Sequence, residues 1–374
     1  MMEWRENDYY WYWFVNIKSI GHKTRKLLLK EFGHPRHVYH GERRKIMSLL
    51  QEKQREYFFA SQNRDEINTS VKRLRDSRTE FIHWESEQYP KKLRQLYDPP
   101  YGMYLRGRLP NPDRPILGMV GSRLGTEYGM QAARSFACAL VKEGVQIVSG
   151  LAAGIDAASH WGALEGNGFT LGILGGGIDT IYPRENFRLY LEMYKKGGVL
   201  SEYNLGTVNR AGLFPARNRL ISGMSDGIFV LEAGEKSGSL ITADQALEQG
   251  KEVFALPGRM TDPLSRGTNR LISEGAFLIQ KPEDILQILF SDQNNRRGIR
   301  SDEEKENGEK TEQKMQEEQK KVYRLLDEKS PVSFNEILQK TGYNYTKLQY
   351  ILLEMELSQW IYQPIQNSYL KKIL

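Results

Sequence analysis

Hydrophobic positions in the first 80 residues recur at helical spacing, with Ile17, Ile20, Leu27, Leu28 and Phe32 around a turn at Gly21, and show no strand-like alternation. A small helical domain over 1–80 is predicted. The segment Tyr89–Gly107 then carries Pro99-Pro100 and Gly102, marking a turn before a short strand. From Pro115 to Phe290 short apolar runs alternate with helical patterns. Ile116–Val120, Val145–Ser149, Thr170–Leu174, Val199–Glu202, Gly227–Leu231, Glu252–Leu256 and Phe277–Ile279 read as strands. A continuous apolar run such as Gly227–Leu231 suits a strand buried on both faces of a parallel sheet. Residues 81–290 are therefore expected to form a doubly wound, mostly parallel α/β domain with ligands at the carboxyl ends of its strands.

Beyond this, residues 291–315 are charged and almost free of core-forming side chains, which predicts a linker. In 316–374, Val322, Leu325 and Leu326 mark one helix. Ser333 with Glu336 forms a capping box before a second, carrying Phe334, Ile337 and Leu338. Leu348, Ile351, Leu352 and Met355 mark a third, and Trp360–Leu370 alternates around Gln366-Asn367 like a β-ribbon. Three helices and a ribbon predict a winged-helix domain. Its third helix offers Lys347 beside Glu354 and Glu356, so protein contact or packing is favoured over the major groove. Near the N-terminus, Ser19-Ile20-Gly21 followed by Thr24 is similar to a degenerate helix-hairpin-helix, of a SAM or helix-hairpin-helix type of domain. Ser19 stands where that turn usually has glycine, so packing is favoured over DNA contact.

Chemistry concentrates where the strands end. Gly121-Ser122-Arg123 follows the first strand of the alternating region, Ser149–Asp156 the second, and Gly175–Asp179 the third, with Tyr182-Pro183-Arg184 and Asn186 just beyond. Phe214–Gly258 adds an arginine-bearing helix start, a buried strand and a Ser/Gly-rich helix start. Unpaired N–H groups and the dipole at such helix starts stabilise phosphate, and glycine admits a ligand to the backbone. Arg123, Arg184, Arg217, Arg219 and Lys236 all fall at strand ends or helix starts and together suggest a phosphate track. Arg123 and Arg217 are expected to be exposed along it. Arg219, two residues along the helix from Arg217, is expected to point elsewhere and brace the loops. Phe214 stands either to stack on a base or to staple its own helix.

Composition narrows the chemistry. A formal charge of +6 over 374 residues favours an acidic partner, and a single cysteine, Cys138, excludes an intramolecular disulfide framework and a cysteine-based metal cluster. Cys138 reads as a small core residue. The N-terminus lacks the pattern of a signal peptide, no apolar stretch is long enough to span a bilayer, and the cytoplasm is the expected location. Gly121-Ser122-Arg123 is not a dinucleotide fingerprint, and there is no Walker A lysine motif. His160, alone of the six histidines near these loops, reads as a buried structural residue. Asp156 and Asp179 each follow a glycine-rich turn, where a lone carboxylate more often fixes loop backbone than a metal. Neither a catalytic residue, a metal nor a cofactor is expected.

Taken together, Tyr89-Pro90 with Leu93, Asp98-Pro99-Pro100, Gly121-Ser122-Arg123, residues 149–160, residues 175–186, residues 214–223, residues 237–243, and residues 255–258 with Gly267-Thr268-Asn269 closely resemble the bacterial DNA-processing protein A (DprA or Smf) family. The likeness spans roughly 80–290. It implies an extended Rossmann-like domain, flanked by the helical and winged-helix domains, that binds single-stranded DNA, forms a homodimer, and loads RecA recombinase on strands coated by single-strand-binding protein during natural transformation. By the same likeness, Gly121, Ser122, Arg123, Gly150, Gly154, Arg217, Asn218 and Arg219 are carried over as phosphate-binding elements, with Phe214 a candidate aromatic base contact and Arg184 and Lys236 added from position. The chain departs from the family at Asn204, where a proline commonly follows Ser-Glu-Tyr. The competing reading is a nucleotide phosphoribohydrolase, similarly built on glycine-rich turns. Glu232 is the only plausible catalytic carboxylate for it.

Overall fold

The computed structural model describes residues 4–297, 317–326, 332–358, 360–365 and 368–371. These fall into two compact units, 1–293 and 294–374. No helix among the described residues is long and apolar enough to cross a membrane.

The first unit opens with six helices between Glu6 and Asp76, followed by β1 (Glu80–His83) and β2 (Gly102–Gly107). The alternating region supplies β3 (Ile116–Val120), α7 (Glu127–Lys142), β4 (Gln146–Ser149), α8 (Ile155–Glu165), β5 (Thr170–Leu174), α9 (Phe187–Lys196), β6 (Gly198–Ser201), α10 (Leu213–Met224), β7 (Gly227–Val230), α11 (Gly238–Glu248), β8 (Glu252–Ala255), α12 (Arg266–Ser273) and β9 (Phe277–Leu278). The nine-stranded sheet runs β1-β2-β6-β5-β4-β3-β7-β8-β9. From β6 to β9 every pairing is parallel, while β1, β2 and β6 are joined by antiparallel pairings.

Alternation within each buried strand divides the core. Ile116 and Val120 of β3 join Val148, Ile173, Leu220, Ile221 and Leu240 on the face covered by α10 and α11. Leu117 and Met119 join Ile147, Phe229, Ala133, Phe136 and Leu140 on the face covered by α7. The sheet is therefore covered on both faces, as its uninterrupted apolar runs require.

The boundary expected at residue 80 does not coincide with a break in packing. Trp11, Phe14, Leu28 and Phe58 of the helical segment share one buried cluster with Tyr104 of β2, Leu174 of β5 and Tyr190 of α9. Polar contacts reinforce the junction: His83 Nε2 lies 2.9 Å from Asp8 Oδ1, and Asn16 Nδ2 donates to the Tyr104 hydroxyl at 2.8 Å. Asn204, the residue that departs from the family pattern, donates to the Tyr12 hydroxyl at 2.9 Å and so ties the loop after β6 to the helices. At the Ser19-Ile20-Gly21 turn Ile20 is buried and the Ser19 carbonyl accepts from Gln54 Nε2 at 3.1 Å. Cys138 is half-buried on α7 rather than a full core residue, because its helix turns it between the buried face and solvent.

The second unit contains helices Glu317–Leu325, Phe334–Thr341 and Tyr345–Leu357 and an antiparallel sheet ordered Val332–Ser333, Ser368–Lys371, Ile361–Ile365. Ser333 Oγ accepts from the Glu336 N–H at 3.3 Å, capping the second helix. Val322, Phe334, Ile337, Leu348, Ile351, Leu352 and Met355 form its core, and Lys347 pairs with Glu318. Of the segment 291–315 expected as a linker, the first seven residues continue helix Pro282–Arg297, and the rest lies outside the described residues.

Two polar groups inside the first unit carry stability. Arg219 Nε donates to Asp98 Oδ2 at 2.9 Å and its Nη2 to both Glu202 oxygens at 2.9 and 2.8 Å. Burial alone would lower its pKa, but Glu202 and Asp98 outweigh burial and raise it. Arg219→Ala leaves those carboxylates without the cation that is hydrogen-bonded to both. Because both remain partly hydrated, the cost should be on the order of 2 kcal/mol, below that of a fully buried pair, and read as a lowered denaturant midpoint. His160 is fully buried with Nδ1 2.6 Å from Thr170 Oγ1, and burial, aided by Arg217, pulls its pKa down to about 3. An unfolded imidazole titrates near ~6.5, so between those values the unfolded chain binds the extra proton. Stability should therefore fall as pH drops from about 6.5 toward about 3. Comparing denaturant midpoints across that window, His160→Gln should show a shallower fall than the parent chain.

Candidate nucleic-acid interface

The chain runs outward from β3 through β4, β5 and β6, then returns to the other side of β3 as β7, so the direction of winding reverses between β3 and β7. Loops diverge at such a point and leave a crevice. Here they are locked to one another through backbone. The Ser122 N–H donates to the Glu232 carbonyl at 2.8 Å, and the Ile155 N–H donates to the Ser122 carbonyl at 3.2 Å. Gly154 caps α8 with φ of 72°. A Cβ there would fall 2.4 Å from the Ser122 oxygen and 2.7 Å from the Arg123 oxygen, so both the conformation and the space demand glycine.

The crevice opens into a cleft of about 1290 Å³ walled by the β3 loop, residues around Thr180–Phe187, the start of α10 and the start of α11. Arg123 is exposed at its mouth with its guanidinium 4.7 Å from the centre of the Phe214 ring. That ring rests on Gly175, where a Cβ would come within 2.8 Å, and Tyr182 lies 6.0 Å from it. Arg184 is also exposed on the cleft wall. Neither Arg123 nor Arg184 forms an ion pair among the described residues.

Arg217 lines the cleft but is only 4 % exposed, contrary to the expectation of an exposed cation. Its Nη1 donates to the Gly150 carbonyl at 2.6 Å and to the Ile173 carbonyl, and its Nε to Asn218 Oδ1 at 3.1 Å. Asp156, also buried, accepts from the Gly150 and Ala152 N–H groups at 3.1 and 3.4 Å. Burial pulls the Arg217 pKa down to about 10 while Asp156 opposes that shift. Burial likewise raises the Asp156 carboxyl, with Arg217 opposing. Gly150 is small because a Cβ would sit 2.6 Å from both the Arg217 guanidinium and Asp156 Oδ2. Asn218 Nδ2 donates to the Gly238 carbonyl at 3.3 Å, joining the middle of α10 to the start of α11.

Gly121, Ser122, Arg123, Gly150, Arg184, Phe214, Arg217 and Asn218 are thus brought together around the cleft, and Gly154 backs its first loop. Two expected members fall elsewhere. Arg219 is turned away into its ion pairs with Asp98 and Glu202, since the next-but-one position on a helix faces another direction. Lys236 is exposed on the turn before α11 but outside the cleft lining, which takes Ser237, Gly238 and Ser239 from that turn. Leu124 and Val208, both exposed on the lining, were not anticipated, because an isolated aliphatic in a loop carries no sequence signal. Asn186 Nδ2 donates to the Leu151 and Ala152 carbonyls at 3.0 and 3.1 Å and anchors the wall. Asp179 accepts from the Gly206 N–H at 2.8 Å.

Glu232 is buried beneath this framework. Its carboxylate accepts from the Thr126 N–H at 2.8 Å and the Thr126 hydroxyl at 2.5 Å, beside the N-terminus of α7, where helix polarity favours an anion. Among the described residues no three His, Cys, Asp or Glu side chains gather to hold a metal ion.

Comparison with known proteins agrees with this architecture. Protein Smf of Escherichia coli K12 is 44% identical over 232 residues, a match spanning 62% of each protein, so the chain covers about three-fifths of that relative. The X-ray structure of DNA processing protein A from Streptococcus pneumoniae superposes with a TM-score of 0.66 at 30% identity, covering 76% of this chain and 98% of that one. DNA processing protein A from Helicobacter pylori, whose structure concerns its single-stranded DNA binding mode, gives a TM-score of 0.52 at 33% identity, covering 57% of this chain and 96% of that one. The family described as DNA recombination-mediator protein A matches residues 80–290, more than half of the sequence, and the chain belongs to that family.

Proposed function

We propose that the protein binds single-stranded DNA in the cleft and acts as a recombination mediator that loads RecA on strands coated by single-strand-binding protein, as a homodimer in the cytoplasm, during natural transformation. The observation that carries the DNA-binding reading is the exposed Arg123 guanidinium over the Phe214 ring, at the mouth of a cleft whose rear wall is glycine-rich backbone. The cation supplies a phosphate contact, and the adjacent aromatic surfaces of Phe214 and Tyr182 supply a stacking platform. Arg184 extends the positive edge, and Arg217, whose Nε and Nη1 are held by Asn218, Gly150 and Ile173, places a cation at the rear of the cleft. The Helicobacter pylori relative supports the same ligand class. The C-terminal unit fits a winged-helix domain in a protein-contact role.

The phosphoribohydrolase alternative loses its carboxylate. Glu232 is occupied by Thr126 and does not line the cleft, and Asp156 is held by loop N–H groups and faces Arg217. Hydrolysis needs a positioned base and an activated water, and neither carboxylate is free for that role. This supports a binding role without bond cleavage.

Labelled oligonucleotides should bind better as single strands than as blunt duplex, with a log–log salt slope of about −0.7 per phosphate neutralised. Equal affinity for the two forms, or indifference to salt, would sink the reading. Arg123→Ala should weaken binding several-fold while shifting stability by less than about 0.5 kcal/mol. Phe214→Ala should cost about 1–3 kcal/mol of binding through lost stacking. Arg217→Ala should instead destabilise the fold by about 3 kcal/mol, because it frees the Gly150 and Ile173 carbonyls and leaves the buried Asp156 carboxylate without the cation that offsets its burial. For the mediator role, the measurement is the rate of RecA filament formation on strands carrying single-strand-binding protein. Acceleration by this protein is expected, and a nucleotide-hydrolysing activity abolished by Glu232→Gln would reverse the assignment.

A further inference from the structure

A second basic groove, of about 650 Å³, lies at the opposite end of the sheet from the cleft. Arg108, Arg114, Lys195 and Lys196 line it together with the Phe169 ring, and the Arg108 guanidinium lies 5.9 Å from the centre of that ring. This repeats the pairing of cation and aromatic ring at the mouth of the cleft. The two places are joined by one element. Helix α9 begins at the cleft, where Phe187 and the preceding Arg184 form part of the wall, and ends in the groove with Lys195 and Lys196. Its ten residues span roughly 15 Å at ~1.5 Å per residue.

The outward face of α9 is one continuous stripe. Arg184, Phe187, Arg188, Leu191 and Lys195 are all exposed, at spacings of three and four that bring them to the same side. Arg188 lies 6.0 Å from the Trp161 ring of α8, a further cation held against an aromatic surface midway along. Of the acidic residues, Glu192 lies to one flank by helical spacing and contacts Lys195 and Lys196 at 3.5 and 3.9 Å, and Glu185 lies to the same flank. Cations at intervals with apolar and aromatic surface between them match a flexible polyanion whose bases present hydrophobic faces, namely a nucleic-acid single strand. A blunt duplex offers phosphates but keeps its bases stacked inside.

The geometry points to a track: a single strand seated in the cleft continues along the outward face of α9 and has its next phosphates held in the groove of Arg108, Arg114, Lys195 and Lys196. This rests on the reading of the cleft as a single-strand site and extends it to a longer footprint that runs along α9 from one end of the strands to the other.

The test compares oligothymidylates of roughly six and roughly thirty nucleotides, below and above much of the ~4–16 nucleotides tracked by one single-strand-binding fold. Proteins compared are the parent, Arg188→Glu with Lys195→Glu, and Arg114→Glu alone. Arg108 is left intact because its Nη2 donates to the Lys196 carbonyl. The double variant should bind the long strand about ten-fold more weakly, with the salt slope reduced by about 1.4 for two lost phosphates, and the short strand within about two-fold of the parent. Arg114→Glu should give a smaller loss on the long strand only, and thermal unfolding should be unchanged in both. If the parent binds both lengths and neither variant alters the long-strand affinity or slope, the track is wrong while the cleft reading stands. An equal loss at both lengths would mean a diffuse charge effect and also overturn the track. If the parent binds neither length, the cleft reading falls and the track with it.

Discussion

The cleft depends on a buried charge. Arg217 reaches from α10 to the carbonyls at the ends of β4 and β5, and Asp156 reaches from α8 to the N–H groups of the same β4 loop. Each shifts the other back toward its charged form against the effect of burial. Removing either would leave one charge in a site too dry to hydrate it. Three elements that are distant in sequence are therefore held at the switch point by two buried, opposite charges that each bind loop backbone, and the first loop is placed on top of them by backbone contacts from Gly154 and Glu232.

That arrangement divides the cations into two classes with different work. Arg217 and Arg219 are buried or nearly so and fix the positions of loops. Arg123 and Arg184 are exposed on the cleft and form no ion pair among the described residues. An arginine held by carbonyls and carboxylates is preorganised, so a ligand that meets it does not bear the cost of ordering the side chain. The exposed pair bears that cost but reaches further into solvent, which suits an irregular, flexible partner.

Much of the architecture was legible because burial on both sheet faces leaves an uninterrupted apolar run. Six strands from Ile116 to Ala255 occur where those runs lie, shifted by a residue at some ends, and the exposed edge strand Phe277–Leu278 falls within its predicted span as well. β1 was not legible: Glu80–His83 pairs on one side only, with two of its four residues outside the core, and shows neither alternation nor a run. Asp156 and Asp179 act on loop backbone as their placement after glycine-rich turns implied. The burial of Arg217 was hidden, because the partners that make it tolerable come from β4, β5 and α8, and no local pattern announces an arginine's distant acceptors. Glu232 presented the same difficulty in reverse, since a carboxylate beside a glycine-rich turn looks reactive until Thr126 is found against it. The shared core of helices and sheet was equally invisible, as periodicity reports a buried face without naming what covers it.

The glycines of the rear wall have a consequence for how the site tolerates change. Gly150, Gly154 and Gly175 each leave room that an arginine, a neighbouring carbonyl or the Phe214 ring already fills. Side-chain truncation, the usual way of mapping a binding surface, has nothing to remove at these positions. The informative perturbation there is the addition of one methyl group, and the most conservative exchange in the genetic repertoire becomes the most disruptive. Natural variation should accordingly be absorbed by the outer rim, where Leu124 and Val208 stand in solvent, while the rear wall stays fixed by lack of space.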